Sequence, residues 1–205
     1  NRTMHDLLGP DLKPADAFPA DGGGGEGFDN NADTLFLSSL LFERYALAAQ
    51  TCVEAAFADD SARKRLQPSD KPEENLARFL RRAFRRPPTP EEVVEYTALA
   101  RGEADPAAGL RKAMQAALVS PNFLFVTDPD APAPGVHPVD PFVLASRLSF
   151  FLWRTMPDDE LLDAAEAGAL ASPQGIEAQA RRLLADPRAA VFAQDFARQW
   201  LGLQE

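Results

Sequence analysis

The stretch that decides the fold lies in the last third of the chain, where residues 147–153 read Arg-Leu-Ser-Phe-Phe-Leu-Trp. Residues 156–162 follow with Met-Pro-Asp-Asp-Glu-Leu-Leu. The first segment is apolar on nearly every side, as in a helix that is buried within a core. The second places a proline and three acidic residues where a new helix begins. Two helices packed into a core are therefore predicted here, rather than a catalytic site.

The composition predicts a folded protein and excludes two classes of partner. Hydrophobic residues make up 45% of the 205 residues and charged residues 25%, enough for one large core or two modest ones. With 21 basic and 31 acidic residues the net charge is −10, so nucleic acid and anionic membrane surfaces would repel the chain. No apolar run approaches the ~20 residues of a membrane span. We expect no nucleic-acid partner and no membrane span.

The single cysteine limits the cofactors that this segment can hold. Cys52 alone excludes an internal disulfide, a cysteine-based zinc site and a Cys-x-x-Cys-His haem attachment site within these residues. It lies on the apolar stripe of a predicted helix, which favours a buried small side chain over a reactive thiol. No cofactor is predicted in this segment itself.

Helix starts are marked by capping residues, many of them followed by proline, whose fixed φ and missing N–H suit the first turn. Thr89-Pro90-Glu91-Glu92 has the form of a capping box. The same signals predict eight helices and no strand, over about 33–57 (capped by Asp33), 70–85 (capped by Asp70), 89–101, 106–119, 141–154, 158–167, 173–185 and 187–201. The predicted fold is all-α, an irregular orthogonal array of about eight helices in two packed units.

Two segments rich in proline and glycine, 9–31 and 128–138, are predicted to be long loops. The second is the clearer boundary between domains, and a softer division lies near Gln67. We expect an N-terminal helical domain at 1–66, a small helical domain at 67–127 and the start of a third, truncated helical domain at 139–205.

The final predicted helix carries large apolar residues at four-, four- and three-residue spacing: Phe192, Phe196, Trp200 and Leu203. This spacing places them on one face of the helix. The face is predicted to bind a partner, because the chain supplies little further sequence that could cover it.

One segment has the oxygen ligands that a hard cation prefers. Asp29, Asn31 and Asp33 alternate after a glycine-rich run, as in loops that bind Ca²⁺. An EF-hand is excluded, because Thr34 and Leu40 replace its glycine and its bidentate glutamate. A generic calcium loop is one interpretation, and the other is that these residues shape a turn while Asp33 caps a helix.

The only basic cluster of the chain comprises Arg78, Arg81, Arg82, Arg85 and Arg86. Arg78, Arg82 and Arg85 are candidates for binding a partner's carboxylate, phosphate or haem propionate. The alternative is structural, because Glu91 and Glu92 lie just across a Pro-Pro turn and arginines suit the last turns of a helix.

Two further sets of polar residues are interpreted as structural. Asp158, Asp159 and Glu160 lie at a predicted helix start, where negative charge is favoured without any acid–base role. His137 lies near Asp140 in a proline-rich loop, but no nucleophile motif accompanies it. No catalytic residue is predicted.

Three sets of motifs occur in order along the chain. The first set is Phe-Pro-Ala-Asp at 18–21, Gly-Phe-Asp-Asn-Asn at 27–31 and Leu-Phe-Glu-Arg-Tyr at 41–45; the second is 82–87 with 120–125; the third is 145–153, 156–161, 186–188 and 199–203. Together they resemble the planctomycete-type domains of unknown function that accompany c-type cytochrome domains in large secreted bacterial proteins. The chain resembles the first domain, the second domain and the start of the third.

The resemblance implies an extracytoplasmic location, which means periplasmic, cell-surface or secreted, and haem c in the full-length parent. It implies no reaction and no catalytic residues. We interpret the chain as a helical scaffold or interaction module of a cytochrome-associated redox protein, with other domains or chains of that protein as partners. Two alternatives stay open: part of an oxidoreductase active site whose cofactor is held elsewhere, or a calcium-stabilised carbohydrate-binding surface protein.

Overall fold

The computed structural model describes residues 1–19, 37–126, 135 and 137–201, and along these residues the chain is helical and contains no strand. The all-α prediction is confirmed. Eleven α-helices are found in this part of the chain, with three short 3₁₀ turns between them. The helices are α1 (Arg2–Leu8), α2 (Ser39–Ala58), α3 (Asp60–Leu66), α4 (Pro72–Ala83), α5 (Pro90–Arg101), α6 (Pro106–Leu118), α7 (Pro121–Leu124), α8 (Pro141–Trp153), α9 (Asp159–Glu166), α10 (Pro173–Ala185) and α11 (Ala190–Trp200).

The predicted capping residues stand at most of the helix starts. The Thr89 hydroxyl accepts from the Glu92 amide at 3.2 Å and the Glu92 carboxylate accepts from the Thr89 amide at 2.8 Å, which completes the capping box. Asp105, Asp140 and Ser172 also accept from first-turn amides, each just before a proline. These side chains bond N–H groups that the helix itself leaves without an acceptor.

Two predicted caps are wrong. Helix α2 begins at Ser39, and Ser38 caps it by accepting from the Leu41 amide, so Asp33 does not. Helix α4 begins at Pro72 after Lys71 rather than at Asp70. The buried Asn75 side chain instead fixes the segment before the helix, since it bonds the Ser69 amide and carbonyl at 3.0 and 2.7 Å.

Three helices were not predicted, α1, α3 and α7, and each is of seven residues or fewer. Short helices are marginal alone and depend on packing, so their local signal is weak. Leu7 and Leu8 of α1 are buried, for example. The final predicted helix is also divided, because a 3₁₀ turn at Pro187–Ala189 precedes α11.

A first core is formed by α1 to α6. Its fully buried side chains include Val53, Leu76, Leu80 and Met114. Helices α5 and α6 approach so closely that a Cβ atom at Gly109 would lie 1.8 Å from the Ala100 carbonyl oxygen. Residues on both sides of the predicted division near residue 67 share this core; the domain boundaries stay a prediction.

A second core is formed by α8 to α11 around Trp153, which has no exposed surface. Its indole N–H donates to the Leu183 carbonyl at 2.8 Å. Trp153 was predicted to be core, and this is confirmed. The turn after α8 joins the two cores, because Met156 packs into the first one and Thr155 hydrogen-bonds the Asp6 carboxylate at 2.5 Å.

Candidate functional site

The arginine-rich turn after α4 is organised around Arg85, which is only 4% exposed and has a left-handed backbone with φ 59°. One terminal nitrogen of its guanidinium donates to the carbonyls of Ala83 and Phe123 at 3.1 and 2.9 Å. The other donates to those of Asn122 and Phe125 at 2.9 and 2.8 Å. Arg85 thereby fastens the end of α4 to α7.

The charge of Arg85 faces no carboxylate among the described residues. Burial, together with the neighbouring charge of Arg86, lowers the pKa of Arg85 to about 10. The group is still protonated at neutral pH. Its partners are four carbonyl dipoles and the faces of Phe123 and Phe150, whose centroids lie 6.0 Å from its central carbon.

Arg86 pairs with a glutamate across the Pro-Pro turn, which is the structural alternative stated above for the arginine cluster. Its two terminal nitrogens bond the two carboxylate oxygens of Glu92 at 2.9 and 2.7 Å. The hydrogen bond from Arg86 lowers the pKa of Glu92 despite partial burial. Asn122 also donates to Glu92 at 3.0 Å, so the capping box of α5 and the start of α7 share one carboxylate.

Of the three remaining arginines of the cluster, Arg81 and Arg82 bond other groups of the chain, and Arg78 is exposed. Arg81 pairs with Asp163 at 2.6 Å and Glu166 at 2.9 Å on α9. Arg82 donates to the Asp6 carbonyl at 3.0 Å and lies 3.6 Å from an Asp159 carboxylate oxygen. Arg78, in contrast, is exposed. Arg82 and Arg85 thus hydrogen-bond backbone carbonyls of this chain. Partner binding by Arg78, Arg82 and Arg85 stays a prediction.

Motifs of the last third of the chain converge on Trp153. The Arg188 guanidinium lies 3.4 Å from its ring centroid and the Arg182 guanidinium 5.8 Å. Both arginines reach Asp158, which accepts two bonds from Arg182 at 2.8 and 2.9 Å and lies 3.7 Å from Arg188. Asp186 also bonds Arg188, at 2.7 Å.

Asp158 is a capping residue, as the sequence indicated, and its carboxylate accepts from the Leu161 amide at 2.9 Å. Burial acts to raise the pKa of Asp158, but the hydrogen bonds from Arg182 and the Leu161 amide outweigh burial and the pKa is lowered. A general acid needs the opposite shift. The lowered pKa of Asp158 is therefore unsuited to a general acid.

The predicted partner-binding face of α11 is part of an aromatic row, formed by Phe151 of α8 with Phe192, Phe196 and Trp200. Successive ring centroids along the row are 4.8, 5.5 and 6.2 Å apart. The exposed fraction is 57% for Phe151, 39% for Phe196 and 70% for Trp200. The sequence did not single out Phe151, because it is one of several apolar residues of a helix that is apolar on nearly every side. Leu203 lies outside the described residues.

Two cavities meet at Arg85. One, of about 250 Å³, has a mixed lining that includes Arg86, Asn122 and Asp140. The other, of about 240 Å³, is lined chiefly by apolar and aromatic side chains from α1, α2, α7 and α8 and the segment after α1. We call the second one the Arg85 cavity.

The predicted calcium ligands Asp29, Asn31 and Asp33 lie outside the described residues, so the calcium site stays a prediction. The part of the chain that the structure describes contains no group of three His, Cys, Asp or Glu residues that could hold a metal ion.

Burial raises the pKa of the Cys52 thiol, which is consistent with a core side chain rather than a nucleophile. Within the described residues no helix is both long and apolar enough to cross a membrane.

Three family models match the chain in sequence order. Residues 1–58 match a protein of unknown function (DUF1587), residues 72–128 one of unknown function (DUF1595) and residues 139–205 one of unknown function (DUF1592). No curated protein and no solved structure matches it. The matched ranges contain the three sets of motifs described above, with the Arg85 turn in the second range and the Trp153 cluster in the third. The chain therefore belongs, over most of its length, to the planctomycete-type domains of unknown function DUF1587, DUF1595 and DUF1592.

Proposed function

We propose that this chain is a helical interaction module, and that the aromatic row is the surface through which it binds another domain or chain. The observation that carries the proposal is the exposure of the row. Rings stacked on one another along α11 leave Phe196 and Trp200 open to water at one end, and Phe151 extends the row onto α8. Contiguous exposed aromatic surface of this kind is characteristic of protein-binding sites.

The polar clusters of the chain support a structural rather than a catalytic role. The arginines and carboxylates around Arg85, Glu92 and Asp158 bond one another or backbone groups. The pKa shifts of Glu92 and Asp158 favour the charged forms that make these bonds. Such groups hold helices in fixed positions, which is what a rigid binding module requires.

We place the module in a secreted, cytochrome-associated redox protein, and this part of the proposal rests on the motif resemblance. The one cysteine cannot attach haem c, so haem would be held by another segment or chain. The visible spectrum and intact mass of the purified parent protein test this. We expect a Soret band and a haem-sized mass increment, and a colourless protein of unmodified mass would overturn the redox assignment.

Binding through the row is tested by photo-crosslinking in cells that produce the parent protein. We replace Trp200 by p-benzoylphenylalanine and, as a matched control, Leu184, which is also apolar and is 52% exposed on α10. Position 200 should give an adduct that maps to one site on an identified polypeptide or neighbouring domain, and Phe196→Asp should abolish it. Equal adducts from both positions, or none, would contradict the proposed function.

A further inference from the structure

The Arg85 cavity is built from all three matched regions of the chain. Phe18 and Tyr45 come from the first, Phe123 from the second and Phe150 from the third, and Phe18 meets Tyr45 edge to face with ring centroids 5.0 Å apart. A cavity of about 240 Å³ exceeds the ~150 Å³ that accommodates benzene in an engineered protein core. The cavity is therefore large enough for a small aromatic molecule.

Arg85 gives this cavity an unusual electrostatic character. It is the only charged side chain in the cavity lining, and it faces no carboxylate among the described residues. Its two terminal nitrogens make four hydrogen bonds, all of them to carbonyl oxygens. Buried charges in proteins are normally paired with an opposite charge. Carbonyl dipoles and ring faces carry no net charge, so a guanidinium that has only these partners favours an anion beside it.

The neighbouring cavity on the other side of Arg85 is less suited to an anion. Asp140 is part of its lining, and Arg86 there is already paired with Glu92. The lining of the Arg85 cavity contains no acidic side chain, and its polar residues besides Arg85 are Asn1, Thr3 and Tyr45. Both cavities share Arg85, but only in the Arg85 cavity does no carboxylate of the lining oppose a bound anion.

We propose that the Arg85 cavity is a binding site for a small aromatic monoanion, with its ring among Phe18, Tyr45, Phe123 and Phe150 and its carboxylate toward Arg85. An apolar pocket with one fixed cation orients such a ligand, since the ring gains burial and the carboxylate gains a counter-ion. The site is separate from the aromatic row and does not depend on the function proposed for the row.

The test is titration of the folded chain with benzoate and with benzamide, a neutral molecule of nearly the same shape, followed by calorimetry and by NMR of the aromatic side chains. Benzoate should bind saturably and at least tenfold more tightly than benzamide, and should shift the Tyr45 and Phe18 ring signals. Equal binding of the two would overturn the role of Arg85, and no binding of benzoate at millimolar concentration would overturn the site.

A cavity-filling variant locates the site without changing Arg85, whose replacement could unfold the protein. Ala48 is part of the cavity lining, whereas Ala46 is exposed on the same helix. Ala48→Phe should lower benzoate affinity at least tenfold, and the matched control Ala46→Phe should leave it unchanged. Undiminished binding by folded Ala48→Phe would show that benzoate binds elsewhere and would overturn the proposal.

Discussion

At the scale of single residues, arginine is the side chain that connects distant segments of this protein. Arg85 bonds carbonyls of residues 37, 38 and 40 positions away. Arg188 covers the Trp153 ring while it bonds Asp186. A planar guanidinium can donate in several fixed directions and stack on a ring at the same time, which an ammonium group cannot do.

Replacement of Arg85 tests this connecting role. Arg85→Lys keeps the charge but loses the fork that reaches four carbonyls, so we expect unfolding to become easier by about 3 kcal/mol. Urea unfolding followed by circular dichroism measures the loss. Arg78→Lys is the control, since Arg78 is exposed on α4 and the change should stay within about 0.5 kcal/mol. Similar values for the two variants would contradict the role given to Arg85.

Trp153 is the second residue whose removal should be severe. Trp153→Ala would leave a cavity in the second core, remove the bond to the Leu183 carbonyl and uncover Arg188. We expect a loss of about 3–5 kcal/mol, enough to unfold a marginally stable domain. Thermal unfolding measures this, and Trp200→Ala is the matched control, because that tryptophan is 70% exposed. An unchanged melting temperature in Trp153→Ala would contradict its place in the core.

Local patterns predicted those residues whose partners are close in the sequence. The capping box of Thr89 and Glu92 spans three residues, and the apolar run around Trp153 is continuous. The carbonyl partners of Arg85 and the exposure of Phe151 depend on tertiary packing, which no local spacing contains. For the same reason the arginine cluster was ambiguous in the sequence, whereas the structure shows which of its members are bonded within the chain.

At the scale of helices, the sequence predicted where the longer helices begin more accurately than it predicted the presence of the short helices. A capping residue followed by proline is a local steric signal, and it was correct at α5, α6, α8 and α10. Helix α7 has the same signal at Ser120-Pro121, but it is only four residues long and is held by Arg85, while α1 is held by packing of Leu7 and Leu8. Helices this short depend on tertiary contacts rather than on propensity. The start of α2 was misplaced, because both Asp33 and Ser38 are capping residue types and local sequence does not choose between them.

The close pairing of α5 and α6 predicts a strong effect of one methyl group. Gly109→Ala would place Cβ 1.8 Å from the Ala100 carbonyl oxygen, so the helices would have to separate. We expect a loss of at least about 2 kcal/mol despite the better helix propensity of alanine. Lys112→Ala on the exposed side of α6 is the control, with an expected change below about 1 kcal/mol. Chemical denaturation measures both, and a stabilised Gly109→Ala protein would refute the close contact.

The link between α9 and α10 predicts a dependence of stability on pH. The pKa of Asp158 and that of Asp186, which is about 2, are lowered in the folded state by bonds from Arg182 and Arg188. Their contribution is therefore present above about pH 4, the usual pKa of an unfolded aspartate, and is lost as the pH falls through the folded values. Melting temperatures between pH 5 and pH 2 should show the difference between wild type and Arg182→Gln shrinking as the pH falls. A constant difference would contradict this link.

At the scale of the whole molecule, the two cores are joined by contacts of several kinds. Met156 leaves the second unit and packs into the first core. Arg81 of α4 pairs with Asp163 and Glu166 of α9, and Thr155 bonds Asp6. These contacts hold the aromatic row and the Arg85 cavity in a fixed relation, since the row lies on the second unit and the cavity has walls from both.

Because the two cores are in contact, a substitution at the contact is predicted to destabilise both of them. Met156→Ala removes a side chain that is 2% exposed, and we expect a loss of about 2–4 kcal/mol. Because Met156 belongs to the second unit in sequence but to the first core in space, hydrogen exchange should accelerate in both cores. Met4→Ala is the control, since Met4 packs against the first core alone and should accelerate exchange only there. If exchange in Met156→Ala changed only in the first core, the two units would be independent, and the cavity between them would have no fixed geometry to recognise a ligand.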